Sequence, residues 1–224
     1  MNWSKEINRI QKFIKDVHLE ANQPNAVVGI SGGLDSAVVA TLLIRALGRK
    51  KVFGYMLPYG TQHDIKDSWE LMGKLKMPYR IHNIKRIVDE TSRELGILRE
   101  NGRTGNIMAR IRMTILFDKS VQHSALVTGT GNKSELMLGY FTIHGDGACA
   151  YEPIGHLLKS EVKKLAVILK VPTNIINKAP SAGLWDGQTD EEELGIEYKV
   201  IDKYLNRIEM NKFKCLPPRS LGKL

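Results

Sequence analysis

Ala26-Val27-Val28-Gly29-Ile30 runs into Ser31-Gly32-Gly33-Leu34-Asp35-Ser36 and on into a helical-looking stretch, Ala37 to Leu47, closed by Gly48. That succession is strand, glycine turn and helix. It is the context in which backbone N–H groups and a helix N-terminus cradle an anion. Gly32 and Gly33 let the main chain come close to phosphate oxygens, and the hydroxyls of Ser31 and Ser36 add donors. Asp35 is the odd member, because a carboxylate beside phosphates is repulsive. Its presence makes sense if a divalent cation, Mg²⁺ by its preference for carboxylate and phosphate oxygens, bridges the two. No Lys follows in the pattern G-x-x-x-x-G-K-[ST], and no G-x-G-x-x-G is present, so neither the Walker A loop nor the dinucleotide fingerprint applies.

Outward from this loop the chain alternates. Strand-like runs recur at 26–30, 52–57, 79–84 and 125–129. Helical runs lie between them at about 35–47, 64–75, 85–95 and 104–121. An amphipathic helix precedes them at 4–20, with Ile7, Ile10, Ile14 and Val17 on one face. The alternation predicts an α/β fold with a parallel, Rossmann-like sheet flanked by helices. Right-handed crossovers then put the strand C-termini, and Ser31–Ser36 with them, on one rim. Further on, 160–170 reads as a helix, and Thr189-Asp190-Glu191-Glu192 reads as a capping box opening another. Residues 207–224 read as an irregular basic arm, with Pro217-Pro218 within it.

The chain has 224 residues, 42% of them hydrophobic and 25% charged. This suits one domain spanning 1–224. The longest apolar run is broken by Arg45, so no membrane span is expected. The N-terminus lacks the apolar core of a signal peptide, and Cys149 and Cys215 lack metal-ligand spacing, so a reduced, cytoplasmic protein is expected. The net charge of +9 suits nucleic acid or small polyanions equally. Basic residues are spread rather than blocked, and few aromatics interleave with them, so no nucleic-acid partner is expected.

A second polar segment, Gly129-Thr130-Gly131-Asn132-Lys133-Ser134-Glu135, follows the 125–129 strand and belongs on the same rim. Glu135 is then a second carboxylate near the phosphates, the kind of oxygen ligand that a cation at Asp35 requires. Downstream come Gly139-Tyr140-Phe141-Thr142-Ile143-His144-Gly145-Asp146-Gly147, Lys159, and a long polar loop from Lys178 to Glu191 holding Pro180, Ser181 and Trp185. Each residue has a plainer alternative. Glu135 suits a solvated helix, Arg110 and Arg112 a solvated helix face, Lys159 a first helical turn, and Asp146 a turn between glycines.

Taken in order, Ser31–Ser36, Pro58-Tyr59-Gly60-Thr61-Gln62, Gly105-Asn106-Ile107-Met108-Ala109-Arg110-Ile111-Arg112-Met113, Gly129–Glu135, Gly139–Gly147 and the 178–191 loop resemble the ammonia-dependent NAD⁺ synthetases. These belong to the N-type ATP pyrophosphatases, whose fold is of the adenine nucleotide alpha hydrolase type. The resemblance covers about residues 5–206. It implies ATP-dependent amidation of deamido-NAD⁺ (nicotinic acid adenine dinucleotide) by ammonia, through an acyl-adenylate, giving NAD⁺, AMP and pyrophosphate. Carried over by position, Ser31, Gly32, Gly33, Asp35, Ser36, Gln62, Thr130, Lys159 and Ser181 bind ATP. Asp35 and Glu135 hold Mg²⁺. Arg110, Tyr140 and Asp146 line the deamido-NAD⁺ site. Asp35, Lys159, Asp146 and Ser181 serve the chemistry, Asp146 at the ammonia. The resemblance also implies a homodimer, and 104–121 is apolar on more than one face. The rival expectations are another enzyme of the superfamily, a GMP synthetase ATPase subunit or a tRNA-modifying enzyme, and a non-catalytic basic module binding nucleotides or RNA.

Overall fold

The computed structural model describes residues 1–61, 65–98, 100–185 and 187–210. Gln62, Cys215 and the expected arm from 211 onward lie outside the described residues.

Four strands form one sheet: β1 (Asn25–Gly29), β2 (Val52–Met56), β3 (Tyr79–Ile81) and β4 (Ala125–Thr128). All pairings are parallel and the spatial order is β3-β2-β1-β4. Apolar side chains alternate faces along β1 as the pleat requires. Ala26 and Val28 enter one core and Val27 the other. Helices α1 (Trp3–Glu20), α2 (Leu34–Leu47) and α3 (Ile65–Leu75) cover the first face. Helices α4 (Lys85–Glu94) and α5 (Asn101–His123) cover the second. Ile7, Ile10 and Ile14 of α1 are buried, as their spacing predicts. With both faces covered, β1 carries a continuous apolar run.

β3 is shorter than the expected 79–84. The Asn83 amide turns to Gly60, accepting from its N–H at 3.1 Å and donating to its carbonyl at 3.1 Å, and this ends the strand. α5 extends past the expected 104–121 at both ends. The short helices α6 (Lys133–Leu138), α7 (Lys159–Ile168), α8 (Thr173–Asn177) and α9 (Asp190–Leu194) follow, then α10 (Tyr198–Met210). Residues 207–210, expected in an irregular arm, are therefore helical. At α9, Thr189 caps by accepting from Glu192 N–H. The reciprocal capping box forms instead at α6, between Asn132 and Glu135.

The order β3-β2-β1-β4 makes a topological switch between β1 and β4. The chain leaves β1 toward β2 on one side, and β4 arrives on the other. In open α/β sheets the crevice beyond the carboxyl ends of such a strand pair is where ligands bind.

Candidate functional site

β1 runs out at the crevice into the loop 31–33, where Gly32 takes φ +80°, a left-handed conformation that glycine adopts without strain. The loop is shaped by its own hydroxyls. Ser31 Oγ accepts from Gly33 N–H at 3.1 Å and lies 3.1 Å from Ser36 Oγ, which donates to the Gly33 carbonyl at 3.1 Å. Asp35 follows in the first turn of α2, where the helix dipole favours a negative charge.

β4 runs out beside it toward α6. Asn132 Oδ1 accepts from Glu135 N–H at 3.1 Å, and Glu135 Oε2 accepts from Asn132 N–H at 3.1 Å. The same Asn132 side chain donates from Nδ2 to Asp35 Oδ1 at 3.0 Å. A helix cap thus aims Glu135 at Asp35.

Lys159 opens α7 and completes the cluster. Its Nζ donates to Asp35 Oδ2 at 2.7 Å and to Glu135 Oε1 at 2.9 Å, with 9% of its side chain exposed. The Tyr198 ring lies 5.2 Å from the ammonium. Burial alone would lower the lysine's pKa, but the two carboxylates outweigh it and hold it raised. Burial, then the Asp35 charge, pushes Glu135 up to about 7 against the pull of Lys159.

The start of α7 is pinned from two sides. Lys159 N–H donates to Ser134 Oγ at 3.0 Å, Ser134 Oγ donates to Asp202 Oδ1 at 2.5 Å, and Ser160 N–H donates to Asp202 Oδ2 at 2.8 Å. Sequence reasoning missed α10 and Asp202. The signal was there, since Tyr198, Ile201 and Leu205 fall on one helical face and pack on Leu158.

Among the described residues no group of three or more His, Cys, Asp or Glu is placed to hold a metal ion. What a cation would have from the protein is the Asp35–Glu135 pair. That suits Mg²⁺, which is ordinarily held by one or two carboxylates plus substrate phosphates.

Beyond the cluster opens a cavity of about 1050 Å³. Ser31, Gly33, Asp35, Ser36, Thr130 and Glu135 line its inner end. Tyr140, Asp146, Lys159 and Ser181 also line it. Gly32 shapes the loop without lining the cavity, and Arg110 does not line it. The Arg110 guanidinium is exposed and reaches the Ile143 carbonyl at 3.3 Å. Arg112, two residues on, faces the cavity. Its only hydrogen bond among the described residues runs from Nε to the Leu57 carbonyl at 3.1 Å. Burial pushes it down to about 10 while nearby Asp146 opposes the shift, so it is still charged at neutral pH. Asp146 also closes its own turn, accepting from Thr142 N–H at 3.0 Å. Tyr140 OH donates to Glu193 Oε2 at 2.8 Å. Burial and that carboxylate raise the phenol well above its usual value, so it acts as a hydrogen-bond donor. Ser181 Oγ accepts from Gly183 N–H at 3.0 Å. Cys149 also lines the cavity, with its thiol pushed up to about 11 by burial and Glu152.

Residues 178–185, with Gln188, roof this space. Leu184 sits against Gly105 of α5, where a Cβ would come 3.0 Å from Leu184 Cδ1. Glycine is what permits that approach.

The family model described as NAD synthase matches residues 6–215. An NH(3)-dependent NAD(+) synthetase from Thermococcus sibiricus is 44% identical over 214 residues, covering 96% of this chain and 84% of that one. An NH3-dependent NAD synthetase structure from Campylobacter jejuni superposes with TM-score 0.79 at 37% identity, over 97% of this chain and 90% of that one. An NMN synthetase structure from Francisella tularensis superposes with TM-score 0.87 at 33% identity, over 98% and 99%.

Proposed function

The chain belongs to the NAD synthase family, and from that premise and its site we infer how it works. It is an ammonia-dependent NAD⁺ synthetase, a ligase forming a C–N bond at the expense of ATP. The observation that carries the residue-level reading is the convergence of Asp35, Glu135 and Lys159 at the ends of two adjacent parallel strands.

The nicotinate carboxylate of deamido-NAD⁺ attacks the α-phosphate of ATP. Pyrophosphate leaves, and ammonia displaces AMP from the acyl-adenylate. The N–H groups and hydroxyls of Ser31, Gly32, Gly33 and Ser36 bind the departing pyrophosphate, aided by the positive end of α2. Lys159 and Ser181 stabilise charge on the transferring phosphates. Thr130 and Gln62 contact ATP. Asp35 and Glu135 would hold Mg²⁺, which would supply positive charge against the phosphates. Arg112 takes the role that the resemblance gave Arg110. A half-buried guanidinium with open donors facing a cavity is built for a phosphate or carboxylate. Tyr140 and Asp146 orient the same substrate, and Asp146 is the candidate for accepting a proton from the attacking ammonia. The thiol of Cys149, held protonated, has no part. One synthetase domain spans the chain.

The test is one assay with deamido-NAD⁺, MgATP and ammonium. AMP, pyrophosphate and NAD⁺ should appear in equal amounts. Glutamine alone should give none, and Cys149→Ser should stay active. Turnover of ATP without NAD⁺ would refute the reading. The likeness to an NMN synthetase favours a second acceptor, nicotinic acid mononucleotide, which carries the same carboxylate. Comparing kcat/KM for the two acids decides between them.

A homodimer through α5 completes the proposal. Phe117 and Val121 on its second half are 39% and 82% exposed, while Ile107, Ile111 and Ile115 pack inward. A two-fold mate would cover the outer pair. Light scattering at low micromolar concentration giving the mass of one chain, with or without substrate, would refute it.

A further inference from the structure

We propose that Lys159 stands in for the divalent cation between Asp35 and Glu135, and that a cation arriving with ATP displaces it toward the phosphates. The inference rests on the reading of those carboxylates as the cation's ligands.

The Lys159 ammonium contacts one oxygen of each carboxylate, at 2.7 and 2.9 Å. The other two oxygens are committed elsewhere. Asp35 Oδ1 accepts from the Asn132 side chain, and Glu135 Oε2 accepts from the Asn132 backbone. The two oxygens free of Asn132 are the ones that Lys159 holds, so a cation taking one oxygen from each carboxylate while Asn132 stays in place meets the ammonium there. Magnesium needs its oxygens at about 2.0–2.1 Å, so ammonium and metal compete for the same small space. Two largely buried carboxylates that share one ammonium need a counter-charge whenever both are ionised. The lysine meets that need from within the chain.

The lysine is also built to let go. Its backbone is fixed by Ser134 at its own N–H and by Asp202 at the next residue, while the ammonium sits at the end of a four-carbon stem with rotatable bonds. The side chain lines the same cavity as Ser31, Gly33 and Ser36, so an ammonium released from the carboxylates moves within reach of the phosphate loop. ATP phosphates then replace the partners it gives up. Metal alone offers no such replacement. The metal therefore enters with the nucleotide and binds poorly before it.

Mn²⁺ binding, followed by the electron paramagnetic resonance of the free ion, tests this without turnover. Wild type should bind Mn²⁺ weakly alone and well beside a non-hydrolysable ATP analogue. Lys159→Met should bind Mn²⁺ without nucleotide at least tenfold tighter than wild type, and adding Glu135→Gln should abolish the gain. If Lys159→Met does not fold, Lys159→Gln, which can still donate to one carboxylate, carries the same comparison. Equal nucleotide-free affinity in wild type and variant would overturn the displacement while leaving the cation site standing. No Mn²⁺ bound by either protein, even with the analogue, would overturn the cation site and the displacement together.

Discussion

Gly105→Ala separates stability from substrate binding. Gly105 lies inside α5, where glycine costs about 1 kcal/mol relative to alanine. On helix propensity alone the variant should be more stable, by about 2–4 °C in melting temperature for a chain of this size. The new Cβ would, however, stand 3.0 and 3.1 Å from Leu184 Cδ1 and Cβ. Leu184 must back away, and with it the roof held by Gln188, which accepts from Leu184 N–H at 2.8 Å and donates to Glu193 at 2.9 Å. Burying a leucine side chain fully is worth about 1.5–3 kcal/mol. Leu184 is half-buried, so unseating it costs the closed roof about 1 kcal/mol, a factor of about five. The KM values for ATP and the acid substrate should rise about fivefold. Thermal melting and steady-state kinetics on the same preparation read both effects. A lower melting temperature with unchanged KM would refute the reasoning, since Leu184 would then belong to the core rather than to the roof.

Asp35→Asn and Glu135→Gln should each lower kcat at least ~100-fold, as expected for losing a cation ligand at a charged leaving group, with the circular dichroism spectrum unchanged. Arg112→Gln should raise KM for the acid substrate ~10–100-fold by removing a charge-assisted hydrogen bond, whereas Arg110→Gln should change it less than about twofold, within the usual effect of a surface substitution. Glu135, raised from 4.5 to about 7 in the folded chain, binds more protons folded than unfolded between those values. Its contribution to the stability of the ligand-free protein should therefore fall as pH rises from 4.5 to about 7. Melting curves of wild type against Glu135→Gln across that window should show the difference. Metal binding needs the ionised form, so Mn²⁺ affinity beside the ATP analogue should weaken as pH falls and Glu135 takes up its proton.

The sheet, its flanking helices and most of the cavity wall were legible because two periodicities and a glycine loop mark them directly. Arg112 shows where that legibility stops. On an α-helix of 3.6 residues per turn, Arg110 and Arg112 fall on opposite flanks of the row Ala109, Met113, Leu116 that faces the cavity. The sequence places both at the edge. Only the position of Leu57, past the end of β2, draws Arg112 in. The Asn132–Glu135 box was hidden for a related reason. Asn-x-x-Glu is common at helix starts, and its importance comes from Asp35, a residue 97 positions away. Asp202 was missed because a lone acid on an amphipathic helix looks solvated until another helix start docks on it.

The β1–β4 pairing bears on how the chain comes into being. β1 meets β2 by closing 26 residues, Ala26 to Val52, but meets β4 only by closing 100, Asn25 to Ala125. Loop-closure entropy makes the second step about 1 kcal/mol dearer than the first. During synthesis the phosphate loop can therefore take shape as soon as β2 has emerged, whereas the carboxylate opposite Asp35 and the lysine between them arrive later, as residues 135 and 159. Binding competence is then among the last properties the growing chain acquires, and nucleotide held by the protein reports a sheet whose most distant partners have already joined.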